Sequence, residues 1–221
     1  MKNSHKTSIA GIAVLLAATT QIHAQSTNKW YVGADAGVAL TQNLGITQSP
    51  FGYDGDVKFD TGVRGGLTLG YEIKPCLSVE LQAGLVENDV SAIHGNNLSA
   101  GANASLYQIP VLVNAIYKPL HGAFQPYLGV GAGFEAGIFD ISGITPASNV
   151  SLFAPSFNDS DLTFAYQAQA GFTYSLCSHC AVGVAYKFLG TTEHNWSSNG
   201  NQLKTDGILT HAIVASLTWK F

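Results

Sequence analysis

The sequence predicts an all-β protein, an eight-stranded antiparallel up-and-down barrel that crosses a membrane. Three observations carry that expectation. Eight segments alternate apolar and polar residues with period two, the mark of a strand with two different faces. The connections between them alternate long and short without exception. Charged residues make up only 11% of the chain, yet the chain after its first two dozen residues holds no run apolar enough for a membrane helix. A soluble sandwich would need more charge on its outer faces, whereas in lipid one face of every strand meets hydrocarbon and closure pairs every backbone group.

The elements follow in chain order. Lys2, His5 and Lys6 precede the apolar run from Ile9 to Ala18, and Ile22-His23-Ala24 offers a cleavage site. The run is too short to span a bilayer, so residues 1–24 read as a secretory signal peptide and residues 25–221 as one barrel domain. Strand one, Lys29 to Leu40, turns Trp30, Val32, Ala34, Ala36, Val38 and Leu40 to one face. Strand two, Gly62 to Ile73, sets Val63, Leu67, Leu69 and Tyr71 against Arg64, Gly66, Thr68, Gly70 and Glu72. Strand three, Leu77 to Leu85, sets Val79 and Leu81 against Glu80 and Gln82. Strand four sets Tyr107, Ile109, Val111 and Val113 against Gln108, Pro110 and Asn114, and Pro110 requires a bulge or an unpaired position because it lacks an N–H.

Strand five contains Pro126 to Phe134, with Leu128, Val130, Ala132 and Phe134 outward and glycines between them. Strand six turns Phe164, Tyr166, Ala168, Ala170 and Phe172 outward over Gln167 and Gln169. Strand seven, Ala181 to Leu189, places Lys187 inward. Strand eight, Leu209 to Phe221, alternates to its last residue, with only Val214 out of character. Lys74-Pro75-Cys76, Lys118–Phe124 and Cys177–Cys180 are short turns; Thr41–Asp60, Val86–Ala104, Phe139–Asp161 and Gly190–Gly207 are long loops. An even strand number puts both mature termini on the side of the short turns, which in such barrels is the periplasm.

The Pro126–Phe134 segment and Tyr107-Gln108-Ile109-Pro110-Val111 resemble motifs of the OmpA-like, opacity-type outer-membrane barrel family, often labelled porin-like. Phe221 resembles the aromatic C-terminal signature of bacterial outer-membrane barrels. The likeness covers nearly the whole mature chain, and the expectation is a single barrel domain without a peptidoglycan-binding domain after Phe221. It implies the outer membrane of a Gram-negative bacterium, a lipid environment and recognition of the last strand by the barrel-assembly machinery.

An eight-stranded bore is about wide enough for side chains to fill it. By parity its polar occupants include Asp35, Asn114, Gln167 and Gln169. Two ion-paired clusters are expected: Arg64, Glu135 and Lys187 toward the loops, and Glu72, Glu80 and Lys220 toward the turns. A buried charge left without a partner costs several kcal/mol, so these groups should plug the bore; a gated ion path is the alternative. Gly129-Val130-Gly131-Ala132-Gly133 lacks the helix that a nucleotide loop needs, and no cofactor is expected.

All three cysteines fall at short turns. Cys177 and Cys180 are close enough in a hairpin for a disulfide in an oxidising compartment. Cys76 belongs to a turn across the barrel, as a free thiol or an intermolecular link in an otherwise monomeric protein. Cys177, His179 and Cys180 lack a fourth ligand, so no metal is expected. His194, Ser197 and the lipid-facing His211 suggest a lipid-modifying enzyme by proximity alone, and no catalytic residue is assigned.

The loops carry ten acidic residues, Asp54, Asp56, Asp60, Glu87, Asp89, Asp140, Asp159, Asp161, Glu193 and Asp206, against Lys58 and Lys204. Such a surface disfavours nucleic acid and suits divalent cations or basic partners. Phe51, Tyr53, Phe153, Phe157 and Trp196 add apolar anchors. The expected role is therefore a non-enzymatic surface protein acting through its loops in envelope structure or adhesion to a host cell or protein ligand. The alternative is a conduit for small apolar solutes.

Overall fold

A computed structural model describes residues 29–48, 55–95, 98–120, 122–146, 158–198 and 201–221. The segment 1–24 read as a signal peptide lies outside these residues, as do Phe51, Tyr53, Asp54, Phe153 and Phe157. Twelve strands run through the described residues: β1 (Trp30–Thr41), β2 (Leu44–Gln48), β3 (Gly55–Phe59), β4 (Gly62–Lys74), β5 (Leu77–Gly95), β6 (Leu98–Tyr117), β7 (Phe124–Pro146), β8 (Asn158–Ser175), β9 (Cys180–Thr191), β10 (His194–Ser198), β11 (Asn201–Thr205) and β12 (Leu209–Lys220).

Eight of them close a barrel in the order β1, β4, β5, β6, β7, β8, β9, β12 and back to β1, every neighbour antiparallel. The closing pair runs from Tyr31–Lys220 to Thr41–Thr210, so the first and last strands seal the wall along their whole length. Closure leaves the wall no edge, which is the condition for a sheet to sit in hydrocarbon.

The eight alternating segments correspond to the eight wall strands, but the described parts of the long connections also form strands. β5, β6 and β7 continue well past Leu85, Tyr107 and Phe134, where alternation stops being legible. The first and last long connections fold as the hairpins β2–β3 and β10–β11. These pair onward, β3 with β5 and β2 with β11, and extend the wall beyond the loop end. The reason is physical: ladder bonds need only backbone, and a strand wetted on both sides has no hydropathy alternation to display.

Pro110 sits at an interruption of the ladder. The β5–β6 pairing passes from Ala83–Val111 to Val86–Gln108, skipping the rungs of Gly84 and Leu85. The missing N–H thus falls at a break in the ladder, the kind of position at which a strand tolerates proline.

Outside, Leu67, Leu128, Val130, Leu162 and Leu217 are each more than half exposed, part of a band of exposed large apolar residues on every wall strand. A band of that extent is intelligible only in contact with lipid. Aromatic pairs edge it: Trp30–Tyr71 at 4.9 Å and Phe124–Phe172 at 5.4 Å between ring centroids at the turn end, and Tyr166–Phe188 at 6.2 Å toward the loops. Inside, glycines make room. A Cβ at Gly70 would enter the Tyr31 ring and one at Gly131 would collide with the Asn114 carboxamide. Val214, the residue out of character in the last strand, is buried in the lumen and packs with Ala39, Val86, Ala185 and Ala212.

Candidate functional site: the filled lumen

The lumen is built in layers. At the turn end Glu72 Oε1 accepts from Lys220 Nζ at 3.2 Å and from Lys118 Nζ at 3.5 Å. Lys118 also lies over the Tyr31 ring, 5.0 Å from its centroid. Burial pushes the Lys118 ammonium below its ordinary pKa, and Glu72 opposes that shift. Tyr31 donates its hydroxyl to Glu80 at 2.7 Å. A cavity of about 70 Å³ opens among Tyr31, Glu80, Lys118, Tyr127, Lys187 and Lys220.

Above it the charges converge on Asp35. Lys187 Nζ donates to Asp35 Oδ2 at 2.9 Å, Gln82 Nε2 donates to the same oxygen at 3.2 Å, and Arg64 Nε stands 3.8 Å from Oδ1. Arg64 Nη2 donates to Gln167 at 3.1 Å, and Gln167 donates to Gln82 at 2.8 Å and Asn114 at 3.0 Å. Strands β1, β4, β5, β6, β8 and β9 thus meet in one hydrogen-bonded cross-section. In low dielectric such a network rigidifies the bore and is expensive to open.

The next layer is neutral: Thr41 donates to Asn88 at 2.8 Å, and Gln108 donates to Thr210 at 3.2 Å. Leu44, Val57, Val90, Leu106 and Ile208 then close the bore with an apolar layer, Phe59 packed against it. Leu44 and Val57 come from the β2–β3 hairpin, so one loop hairpin supplies part of the stopper.

The site residues named from sequence fall as follows. Arg64 and Lys187 come together, but around Asp35 rather than Glu135. Glu135 is fully buried opposite Pro110, and neither of its carboxylate oxygens makes a hydrogen bond among the described residues. Glu72 and Lys220 meet, with Lys118 as a third partner; Glu80 instead takes the tyrosine hydroxyl. Asp35 has lumen parity in the sequence, but nothing in the sequence marks it as the hub. Lys118 escapes because its position in a turn reads as solvated, although its side chain folds back into the barrel mouth.

Cys76, Cys177 and Cys180 are unbridged. Cys177 is exposed and Cys180 half-buried across the β8–β9 hairpin, where the Cys177 N–H donates to the Cys180 carbonyl at 3.2 Å. Among the described residues no cluster of His, Cys, Asp and Glu is arranged to hold a metal. The side chains of His194, Ser197 and Trp196 lie outside the described residues. His211 contacts Tyr186 and Gln42, and no serine among the described residues bonds this imidazole.

Comparison with known proteins agrees with this architecture. Neisserial surface protein A is 16% identical, with TM-score 0.54 and coverage of 87% of this chain and 97% of that one. The outer membrane protein OprG from Pseudomonas aeruginosa is 19% identical, with TM-score 0.54 and coverage of 89% and 98%. AlkL, an outer membrane protein solved in lipid bilayers, is 15% identical, with TM-score 0.50 and coverage of 91% and 96%. At these identities the likeness is one of fold. No curated protein sequence matches the chain. The family model described as "Outer membrane protein beta-barrel domain" matches residues 10–221, and with a closed eight-stranded wall, a lipid-facing band and a filled lumen behind that match, the chain belongs to the outer membrane protein β-barrel family.

Proposed function

We propose that this is an exported, non-enzymatic surface protein of the Gram-negative outer membrane. Its short turns and both mature termini lie in the periplasm, and its acidic loops and hairpins present a surface for envelope contacts or adhesion. The observation that supports this reading is the filled bore: among the described residues, the Asp35 network and the apolar layer above it occupy its cross-section. Function then falls to the surface that the barrel holds out. Glu87, Asp89 and Asp206 contribute acidic side chains there; Glu87 accepts from Tyr107 at 3.2 Å and Asp89 from Ser105 at 2.8 Å.

Purified protein in planar bilayers is expected to show no large, steady conductance. A wide, stable channel in most insertions would refute the plug and make Arg64, Glu135 and Lys187 selectivity residues. Cells expressing the barrel should bind a host-cell or basic protein ligand in a loop-dependent manner, and loss of binding on shortening the β2–β3 and β10–β11 hairpins checks that dependence.

A second reading, a conduit for small apolar solutes, draws on one feature. The skipped rungs at Pro110 interrupt the β5–β6 ladder, and a lateral exit would form at that break. Uptake of an apolar solute by a deletion strain, with and without the restored gene, separates the two.

The cysteines complete the proposal. In the periplasm Cys177 and Cys180 join in a disulfide and Cys76 stays unpaired within a monomer, the thiol available to link copies. The closed loop is very small, so the bridge adds little stability and a Cys177→Ser, Cys180→Ser variant should still fold. Peptide mapping without reduction tests this: Cys76 bridged to Cys177 or Cys180 within one chain contradicts it.

A further inference from the structure

On the lipid-facing wall at the loop end, three adjacent strands build a polar notch. His211 on β12 lies beside Leu40 of β1 and Phe188 of β9. Gln42, just beyond β1, donates its Nε2 to His211 Nε2 at 2.8 Å. That nitrogen is therefore an acceptor, and the neutral ring carries its proton on Nδ1. His211 Nδ1 then donates to the Tyr186 hydroxyl oxygen at 2.6 Å. The relay ends in the O–H of the half-exposed Tyr186, whose proton meets no acceptor among the described residues. An ionisable side chain in contact with lipid is costly and calls for a functional account. Here its two nitrogens are satisfied, and the Tyr186 O–H and the second N–H of Gln42 Nε2 remain as neutral donors on the lipid-facing wall.

We propose that Gln42, His211 and Tyr186 form a binding notch for a membrane lipid, held by an acyl ester or amide carbonyl that accepts the Tyr186 hydroxyl proton. The chemistry of the notch selects that group. Among the described residues no lysine or arginine takes part in it, so it lacks the cation that phosphate recognition uses. Its free donors, the Tyr186 O–H foremost, are neutral and match a neutral acceptor, and carbonyls of this kind mark the junction between headgroup and acyl chain. The flanking Leu40, Phe188 and Ile213 supply the apolar bed for the chain below: Leu40 and Ile213 are each more than half exposed, and the Phe188 ring lies 5.2 Å from the imidazole. The inference stands on the wall geometry alone, and failure of the loops to bind a ligand would leave it untouched.

The test compares two lipids with the same headgroup. Full-length protein is reconstituted in vesicles of ester-linked or ether-linked phosphatidylcholine, extracted in detergent and scored for retained lipid by native mass spectrometry. The protein is expected to retain the ester lipid about fivefold better, the difference one hydrogen bond makes. Tyr186→Phe should erase that preference, and Gln42→Leu, which leaves the ladder intact, should weaken it. Tyr117→Phe, another lipid-facing tyrosine, should keep it. Equal retention of the two lipids by the unaltered protein overturns the proposal, since headgroup or hydrocarbon contact would then explain it. Persistence of the preference in Tyr186→Phe, or its loss in Tyr117→Phe, overturns it as well.

Discussion

Replacement of Asp35 by alanine is expected to destabilise the barrel by about 3–5 kcal/mol, because it leaves buried cations without their counter-charge. Lys187 loses its 2.9 Å partner, Arg64 loses the carboxylate 3.8 Å away, and Gln82 loses an acceptor, all in a cross-section nearly closed to solvent. Urea titration of the barrel in vesicles, followed by tryptophan fluorescence or gel mobility, measures the effect. The diagnostic control removes the charges together. Asp35→Leu combined with Lys187→Met and Arg64→Met should recover much of the loss, since apolar groups of similar volume need no partner. A single Asp35→Ala variant within about 1 kcal/mol of the parent, the median worth of an exposed pair, would show that the charges are solvated and not a plug.

Lysine at Val130 or Leu217 should cost about 2–4 kcal/mol if the side chain meets the bilayer midplane. Both residues are more than half exposed on the outer wall. Ser216→Lys, one residue from Leu217, is expected to cost less than either, because Ser216 lines the lumen cavity beside Asp35. Vesicle-based unfolding of the three variants decides it. A harmless Leu217→Lys beside a Ser216→Lys that blocks assembly would mean the two faces of β12 are reversed.

Much of the fold is legible because lipid outside and side chains inside impose opposite chemistries on successive residues. Thr68, Leu69, Gly70 and Tyr71 already declare their faces in the sequence. Where the strands leave that environment the signal ends. The stretch from Leu98 to Ser105, small residues after its leucine, is too weakly apolar to mark it as a continuation of β6, and the β2–β3 hairpin reads as loop although its Leu44 and Val57 help stop the bore. The site was legible as a set of lumen residues but not as pairs. Parity separates inside from outside, whereas strand register and tilt choose who meets across the lumen. Arg64 therefore stands nearer Asp35 than the expected Glu135, and Glu80 takes a tyrosine instead of a lysine. His211 follows the same pattern: its place on the lipid face is readable, while its link to Gln42 and Tyr186 depends on the β1–β12–β9 registers.

The sequence by itself determined the wall: eight alternating segments, their order along the chain, the short turns and the face of each residue, since these follow from local periodicity and from a solvent that is lipid on one side. Tertiary structure alone decided the convergence on Asp35, the apolar stopper contributed by a loop hairpin and the relay that ends at Tyr186. Each joins residues distant in sequence, and only the closing of the sheet at a particular register brings them within hydrogen-bonding or van der Waals range.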